Sequence, residues 1–502
     1  MKGKARAFVE TVAGKTLRVA VLGAKNAGKT TFTASLCQLL RNPQDGMFNG
    51  WTPEVGNQLD PVRPFKRFPL AETLSKWSED DWSDETVDVS QLRLPVSFHR
   101  EAKRTKRFEL QILDIPGERV ADFGMFGRDY GKWSDFVEDH ANGLLGRIRP
   151  LEVYFEEAKT IVGDWAEKSA GTASKDERKI LFVDLVAKLV EAYKNALKEL
   201  DGEYSTFLSP SVVRLDEKGT RPDWGACPVG LDEKRQFVPL PREVRTKENR
   251  KPLRAFEKAY DDYVATIVSP VVKWLASADQ AIYLVDVLSL LNDGCDAYAT
   301  QKAMGDAALS VFSRRAGTAF GRAWNWLFHS RIAGIQLLAT QADRVPDLGV
   351  NEKDQQTNPH GNMKKLLREI HGRAVLVVDG AKKHFGTVTA VVTTKQKEKG
   401  KSVWLFGPFE GQETDSPDKD FPVQFIDENG APVKERTVPR HWPCDEGDAG
   451  AARRAWKPGE YGFAKTKPFF PTHVNIAPVS REMDGVIQRL FDLGDAWSEQ
   501  TA

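Results

Sequence analysis

The chain has 502 residues, more than one compact core usually encloses, so two or three folding units are expected. Its 72 basic and 71 acidic side chains nearly cancel, which removes any global electrostatic argument for nucleic acid or for an acidic membrane surface as partner. No apolar run approaches the roughly 20 residues that cross a bilayer, and "MKGKARAFVE" has no apolar stretch behind its basic residues, so a soluble cytoplasmic chain is expected, peripheral membrane association staying open.

Residues 17 to 22, "LRVAVL", are a short aliphatic run of the kind that becomes a buried parallel strand. "TTFTASLCQLLRN" then places Phe32, Leu36, Leu39 and Leu40 at helical spacing. Between them Gly23, Gly28, Lys29 and Thr30 satisfy the pattern GxxxxGK[ST]. In a strand-to-helix setting this predicts a phosphate-binding loop, whose glycines let backbone N–H groups turn inward while the helix start adds its positive end. Lys29 is expected on the β and γ phosphates and the Thr30 hydroxyl on Mg²⁺, with Asn26, Ala27 and Thr31 counted among the nucleotide-binding residues.

"QLRLPVSFH" at 91 to 99 alternates apolar and polar residues a short turn before "RFELQILDI" at 107 to 115, so the two are expected to pair antiparallel at a sheet edge. "LDIPGE", 113 to 118, closes the second of these strands and carries Asp114 to the carboxyl edge of the sheet, where ligands of open α/β sheets bind. There Asp114 can hold Mg²⁺ through water, the Gly117 amide can face a γ-phosphate, and Glu118 can position an attacking water. An aspartate that merely opens a Pro-Gly turn is the plainer alternative.

From about 120 to 278 there is no convincing strand pattern, but there are long helical ones. "ERKILFVDLVAKLVEAYKNALKEL" sets Leu185, Val186, Leu189, Val190, Tyr193 and Leu197 on one stripe. "AFEKAYDDYVATIVSPVVKWLA" does the same with Phe256, Tyr260, Tyr263 and Ile267, and Pro270 should kink or divide it. This interval reads as a helical domain inserted between two strands of the sheet.

Strand candidates resume with "AIYLVDV" at 281 to 287, "GIQLLAT" at 334 to 340 and "VTAVVT" at 388 to 393, with helical pieces such as "NMKKLLREIHG" at 362 to 372 between them. "LLATQADRV" ends its strand on Thr340, Gln341, Ala342 and Asp343. A carboxylate at 343 can accept from the N1–H and exocyclic amine of guanine, a donor pair that adenine lacks, and a buried acceptor left unfilled is costly. A turn or helix-capping aspartate is the alternative there. Beyond 395, "SVWLFGPF" and "FPVQFID" alternate between turn-rich segments and suggest a small β appendage, and "MDGVIQRLFDLGD" reads as a closing helix. The units expected are 1–119 and 279–398 as two parts of one nucleotide domain, 120–278 as the helical insertion, and 399–502 as the β-rich appendage with the closing helix.

Several features carry less. The basic runs "REAKRTKR" and "KQKEKGK" read as solvated tips and give no specific sign of nucleic acid. Cys37, Cys227, Cys295 and Cys444 show no CxxC spacing, which suits reduced thiols and neither a zinc site nor a disulfide frame.

The phosphate loop, "LDIPGERVADF", "ETVDVSQLRL", "AIYLVDVLSLLNDG", "RIAGIQLLATQADRV" and "THVNIAPVSREMDGVIQRLFDLGD" together resemble, in the same order, the YcjX family of bacterial P-loop stress proteins, related to the Ras-like GTPases. The resemblance implies a guanine nucleotide, GTP or GDP, and Mg²⁺, with Gly23, Gly28, Lys29 and Thr30 on phosphate and metal, Asp114 and Gly117 in the second switch, and Asp343 on the base. Gln341 stands where guanine-binding motifs usually have lysine, so the aliphatic stem over the base is shorter and its charge is lost. Thr86, just before the 91 strand, is assigned as the first-switch threonine and Mg²⁺ ligand, because switch threonines precede that strand in Ras-like folds. In "TTKQ", Thr394 and Lys395 are placed beside the guanine.

The fold expected is therefore α/β: a Ras-like P-loop NTPase with a mostly parallel sheet flanked by helices, a large helical insertion and a small β-rich appendage. The function expected is Mg²⁺-dependent GTP binding with slow hydrolysis, in which Lys29, Glu118 and Thr86 act and the insertion reports the nucleotide state to a protein partner. A P-loop ATPase and a nucleotide-binding interaction protein without turnover are the alternatives.

Overall fold

The computed structural model describes residues 16–24, 27–43, 47–78, 89–100, 104–141, 149–172, 174–203, 237–245, 250–294, 298, 301–302, 305–306, 308–309, 312, 332–342, 359–376, 378, 381–389, 395–398, 401–406, 421–427, 432–438 and 483–493. Among these residues eight strands form the larger sheet: β1 (Thr16–Gly23), β2 (Thr52–Val55), β3 (Lys66–Arg67), β4 (Ser90–Arg100), β5 (Arg104–Asp114), β6 (Gln280–Val285), β7 (Gly334–Ala339) and β8 (Lys382–Thr387). Their order is β2-β4-β5-β1-β6-β7-β8, with β3 also paired to β4. From β5 to β8 every neighbour is parallel, while β4 pairs antiparallel with β5 and β2 antiparallel with β4.

The unbroken apolar runs of β1 and β6 reflect burial on both faces. Ala20 and Leu22 of β1, with Ala281, Tyr283 and Val285 of β6, enter one hydrophobic cluster. Val19 and Val21, with Ile282 and Leu284, enter the other, as the two-residue period of a strand requires. The second face is covered by α1 (Lys29–Arg41) and α2 (Leu70–Ser78), through Phe32, Leu36, Leu39, Leu70 and Trp77.

The inserted helices α3 (Tyr130–Ala141), α4 (Arg149–Ala170), α5 (Lys175–Glu203), α6 (Arg250–Tyr263) and α7 (Ser269–Ala276) join the cluster of the first face. Their stripes, Leu185, Leu189 and Tyr193 on α5 and Phe256, Tyr260 and Tyr263 on α6, belong to the same cluster as the sheet residues. The insertion thus shares one core with the sheet. Between α6 and α7, Val264–Val268 form a π-helical turn in which Ser269 N–H reaches back to Val264 O. Pro270, at the start of α7, supplies no N–H, and the widened turn absorbs that loss, so the helix is divided just ahead of the proline.

After β6 come α8 (Val287–Asp293) and, between β7 and β8, α9 (Pro359–Leu376). A second, antiparallel sheet contains β9 (Lys395–Glu398), β10 (Lys401–Phe406), β11 (Phe421–Asp427) and β12 (Pro432–Val438). The closing helix α10 (Met483–Phe491) packs on the larger sheet: Phe491 lies 4.9 Å from Phe98 and 5.5 Å from Phe108 between ring centroids, and Arg489 Nε donates to Gln336 Oε1 at 3.0 Å.

Two expectations are corrected. The fifth parallel strand among the described residues is β8, Lys382–Thr387, ahead of the expected 388 to 393, of which 390 to 393 lie outside the described residues. An edge strand buries only part of its surface, so "KKHFGT" carries no apolar run and the eye passes to the aliphatic residues after it, of which Val388 still donates its N–H to Ala339 O at 2.8 Å. The pairing of β4 with β5 is as read, over Ser90–Arg100 and Arg104–Asp114, but β4 is not an edge, because β2 covers its outer side. Leu92, Leu94, Val96 and Phe98 are wholly buried there.

Candidate functional site

The site grows from the carboxyl ends of β1, β5, β6 and β7. Gly23 ends β1 with φ 153°, and a Cβ there would lie 2.4 Å from the Leu284 carbonyl oxygen of the neighbouring strand. Only glycine lets the chain leave the sheet so close to β6. Gly28 has φ 80° and opens α1, whose first turn has no acidic side chain and no side-chain cap. The positive end of the helix therefore faces the loop with no side-chain anion of its own there, which favours a bound anion. Ala27 is buried, and its N–H donates to Ala24 O at 3.3 Å. Lys29 is 6 % exposed, and its Nζ donates back across the loop to Ala24 O at 2.8 Å, which keeps the ammonium inside the loop. Thr31 follows on α1, partly buried.

Asp114 ends β5 in register with Val21 of β1 and is wholly buried. Thr30 Oγ1 donates to Asp114 Oδ2 at 2.8 Å, so the loop and the neighbouring strand are joined directly. Two hard oxygen donors at the mouth of a phosphate loop suit Mg²⁺. Among the described residues no group of three or more His, Cys, Asp or Glu could hold a metal by itself. A metal at this point would take its other ligands from phosphate and water, as Mg²⁺ commonly does. Pro116 then starts a 3₁₀ turn, Gly117–Met125, in which Gly117 is buried. Glu118 lies in that turn, but its side chain is outside the described atoms.

On the other side of β1, Thr340 N–H donates to Val285 O at 2.9 Å and places Gln341, in the left-handed region at φ 57°, beside the end of β6. Gln341 Nε2 donates to Asp286 Oδ2 at 2.8 Å. Asp286 also caps α8, accepting from Ser289 N at 3.0 Å and Ser289 Oγ at 2.7 Å. The sequence reading did not single out Asp286. Its signal was an aspartate three residues before a serine at the end of an apolar run, the usual look of a helix N-cap. The shorter stem at 341 is thus tied to a neighbouring carboxylate.

Asn26, Thr86, Asp343 and Thr394 lie outside the described residues. Lys395 is the first residue of β9, in register with Trp404 of β10 in the smaller sheet, and its side chain is outside the described atoms. Cys37 is buried in α1, and burial pushes its thiol up to about 12, so it stays protonated.

A mostly parallel sheet carrying a glycine-rich loop between a central strand and a helix, with the loop threonine bonded to an aspartate at the end of the next strand, defines a P-loop NTPase of Ras-like type. Within that class the chain belongs to the YcjX-like family, DUF463, whose profile matches residues 17–495. It is similar to the Ras-like GTPase YcjX of Shewanella oneidensis, 23 % identical over 427 residues that cover 78 % of this chain and 80 % of that protein. It is also similar to the Ras-like GTPase YcjX of Escherichia coli (strain K12), 26 % identical over 401 residues, 74 % of this chain and 76 % of the other. No helix among the described residues is long and apolar enough to cross a membrane.

Proposed function

We propose that this chain binds GTP with Mg²⁺, hydrolyses it slowly, and uses the difference between GTP and GDP as a switch. The observation that carries the reading is the Thr30–Asp114 hydrogen bond of 2.8 Å beside the buried Lys29, because it sets a metal-binding pair against a phosphate-binding loop. The names of the relatives from Shewanella oneidensis and Escherichia coli support the choice of guanine nucleotide. Gly23, Asn26, Ala27, Gly28, Lys29, Thr30 and Thr31 would hold the phosphates, with Thr30, Asp114 and Thr86 as the protein's share of the Mg²⁺ ligands. Bound Mg²⁺ would neutralise charge on the β and γ phosphates.

The residues supply position rather than covalent chemistry. Lys29 holds its ammonium inside the loop, where transferring charge is compensated, and Gly117 offers an amide at the start of the second switch. Glu118 orients the attacking water. Asp343 selects guanine, with Gln341, Thr394 and Lys395 beside the base. The helical insertion, entered directly after the second switch, carries the state to a protein partner.

Calorimetry with GTP, GDP and ATP in Mg²⁺, on the wild-type chain and on Asp343→Asn, tests this. GTP is expected to bind at least about 100-fold more tightly than ATP, with that preference lost in the variant because a paired acceptor is removed. Equal affinity for ATP in the wild-type chain would replace the reading with that of an ATPase.

A further inference from the structure

The 3₁₀ turn that begins at Gly117 ends among the inserted helices. Asp122, in this turn, is 2 % exposed, and its Oδ2 accepts from Tyr263 Oη at 2.8 Å. Tyr260, one helical turn earlier on α6, donates its hydroxyl to Met125 O at 2.9 Å and to Arg128 O at 3.0 Å. Both tyrosines are wholly buried. Residues three apart share a helix face, so one face of α6 grips the turn at its middle and at its end. A third phenol, Tyr193 of α5, feels the same carboxylate: burial first, then the Asp122 charge, raises its pKa. Asp122 is thus a buried carboxyl group bonded to a side chain of α6, eight residues along the chain from the Asp114 that bonds Thr30.

Mechanical consequences follow from the energetics. A buried carboxylate parted from its donor is costly, so displacement of the turn either draws α6 with it or exposes Asp122. The turn is 3₁₀, whose hydrogen bonds are poorer than those of an α-helix and are remade more readily. On the far side of the contact, α6 ends at Tyr263 and continues into the π turn Val264–Val268, a place where a helix can take up a shift in register. The rings are also packed into the insertion: Tyr263 lies 5.5 Å from Phe237, and Tyr260 lies 5.5 Å from Phe237 and 5.2 Å from Trp133, between centroids.

We propose that Asp122 and Tyr263, together with Tyr260 on the carbonyls of Met125 and Arg128, form the joint through which the nucleotide site moves the helical insertion. This rests on the nucleotide-switch reading above. Asp122, Tyr260 and Tyr263 are positioning residues in this scheme and touch no nucleotide.

Hydrogen–deuterium exchange on the full chain tests it, with GDP and Mg²⁺, with a non-hydrolysable GTP analogue and Mg²⁺, and without nucleotide. In the wild-type chain, replacing GDP by the analogue is expected to change protection of 117–125 and of 253–268 together. Tyr263→Phe keeps the ring and removes only the hydroxyl. Without nucleotide it should lower protection of 117–125 by about tenfold, as loss of one buried hydrogen bond allows. With nucleotide, the change should remain at 117–125 and fade at 253–268. Asp122→Asn keeps an acceptor for the phenol and should respond as wild type.

The proposal is overturned if 253–268 in Tyr263→Phe responds as fully as in wild type, if Asp122→Asn loses the response, or if 253–268 never responds in the wild-type chain. A wild-type chain that binds neither nucleotide overturns the switch reading instead. The joint is then judged by the nucleotide-free arm, where unchanged protection of 117–125 in Tyr263→Phe sinks it.

Discussion

Gly23 and Gly28 occupy one loop and one sequence pattern, yet the structure asks different things of them. At Gly23 a side chain would meet the Leu284 carbonyl oxygen at 2.4 Å, whereas at Gly28 there is open space and only the positive φ of 80° opposes substitution. Gly23→Ala should therefore cost about 2–4 kcal/mol from overpacking and backbone strain together. Gly28→Ala should cost about 1–2 kcal/mol from the left-handed backbone alone. Urea unfolding of the two variants decides this, and the argument fails if Gly28→Ala proves the more costly. That Lys29 and Thr30 open a helix beside Asp114 at a strand end was legible from residue types at fixed spacing. That Lys29 folds back on Ala24, and that Gln341 is held by Asp286, was not legible, because both contacts depend on where separate strand ends arrive.

Among the elements, α10 shows how far a short amphipathic piece can be from its partners in sequence. Phe491 sits against Phe98 of β4 and Phe108 of β5, while Lys106 Nζ donates to Asp492 O at 2.6 Å just past the helix end, where a cation is favoured. Gln488 Nε2 also donates to Met47 O at 2.9 Å. Phe491→Ala is expected to destabilise the chain by about 3–5 kcal/mol, as for other buried aromatic truncations. Denaturant unfolding measures it, and a loss below about 1 kcal/mol would mean that α10 is not part of the sheet's core. The periodicity of "MDGVIQRLF" announced a helix with one apolar face. Which surface that face covers is a question of long-range packing, and β8 poses the same difficulty in reverse, since a polar edge strand carries almost no periodic signal.

Across the whole molecule, two imidazoles, one half-buried and one wholly buried, make stability depend on pH. His384 of β8 is held at about 3, well below the ordinary value of 6.5, by burial first and then by the positive charges of Arg489, Lys364 and Arg368. His371 of α9, wholly buried, is also lowered by burial, against the opposing pull of Asp306. For His384 the unfolded chain takes up its proton near pH 6.5 and the folded chain only near 3. Its contribution to stability is therefore complete above 6.5 and is lost progressively as the pH falls towards 3. Between pH 7.5 and 5 the wild-type chain should lose up to about 2 kcal/mol more than His384→Gln, read from urea unfolding at the two values. Equal losses would show that the imidazole is accessible to protons in the fold.

The sequence by itself determined the phosphate loop, the aspartate at the end of the next strand, the parallel core strands and the helical character of the insertion. Each of these is written in local spacing: glycines at a turn, continuous apolar runs in strands buried on both faces, and a stripe every three to four residues in helices. Only the tertiary structure decided that the insertion and the sheet share one core, that β4 lies inside the sheet, and that α6 reaches the turn after Asp114 through two tyrosines. The physical reason is that period tells which face of an element is apolar, while the surface that face meets is set by chain segments up to hundreds of residues away.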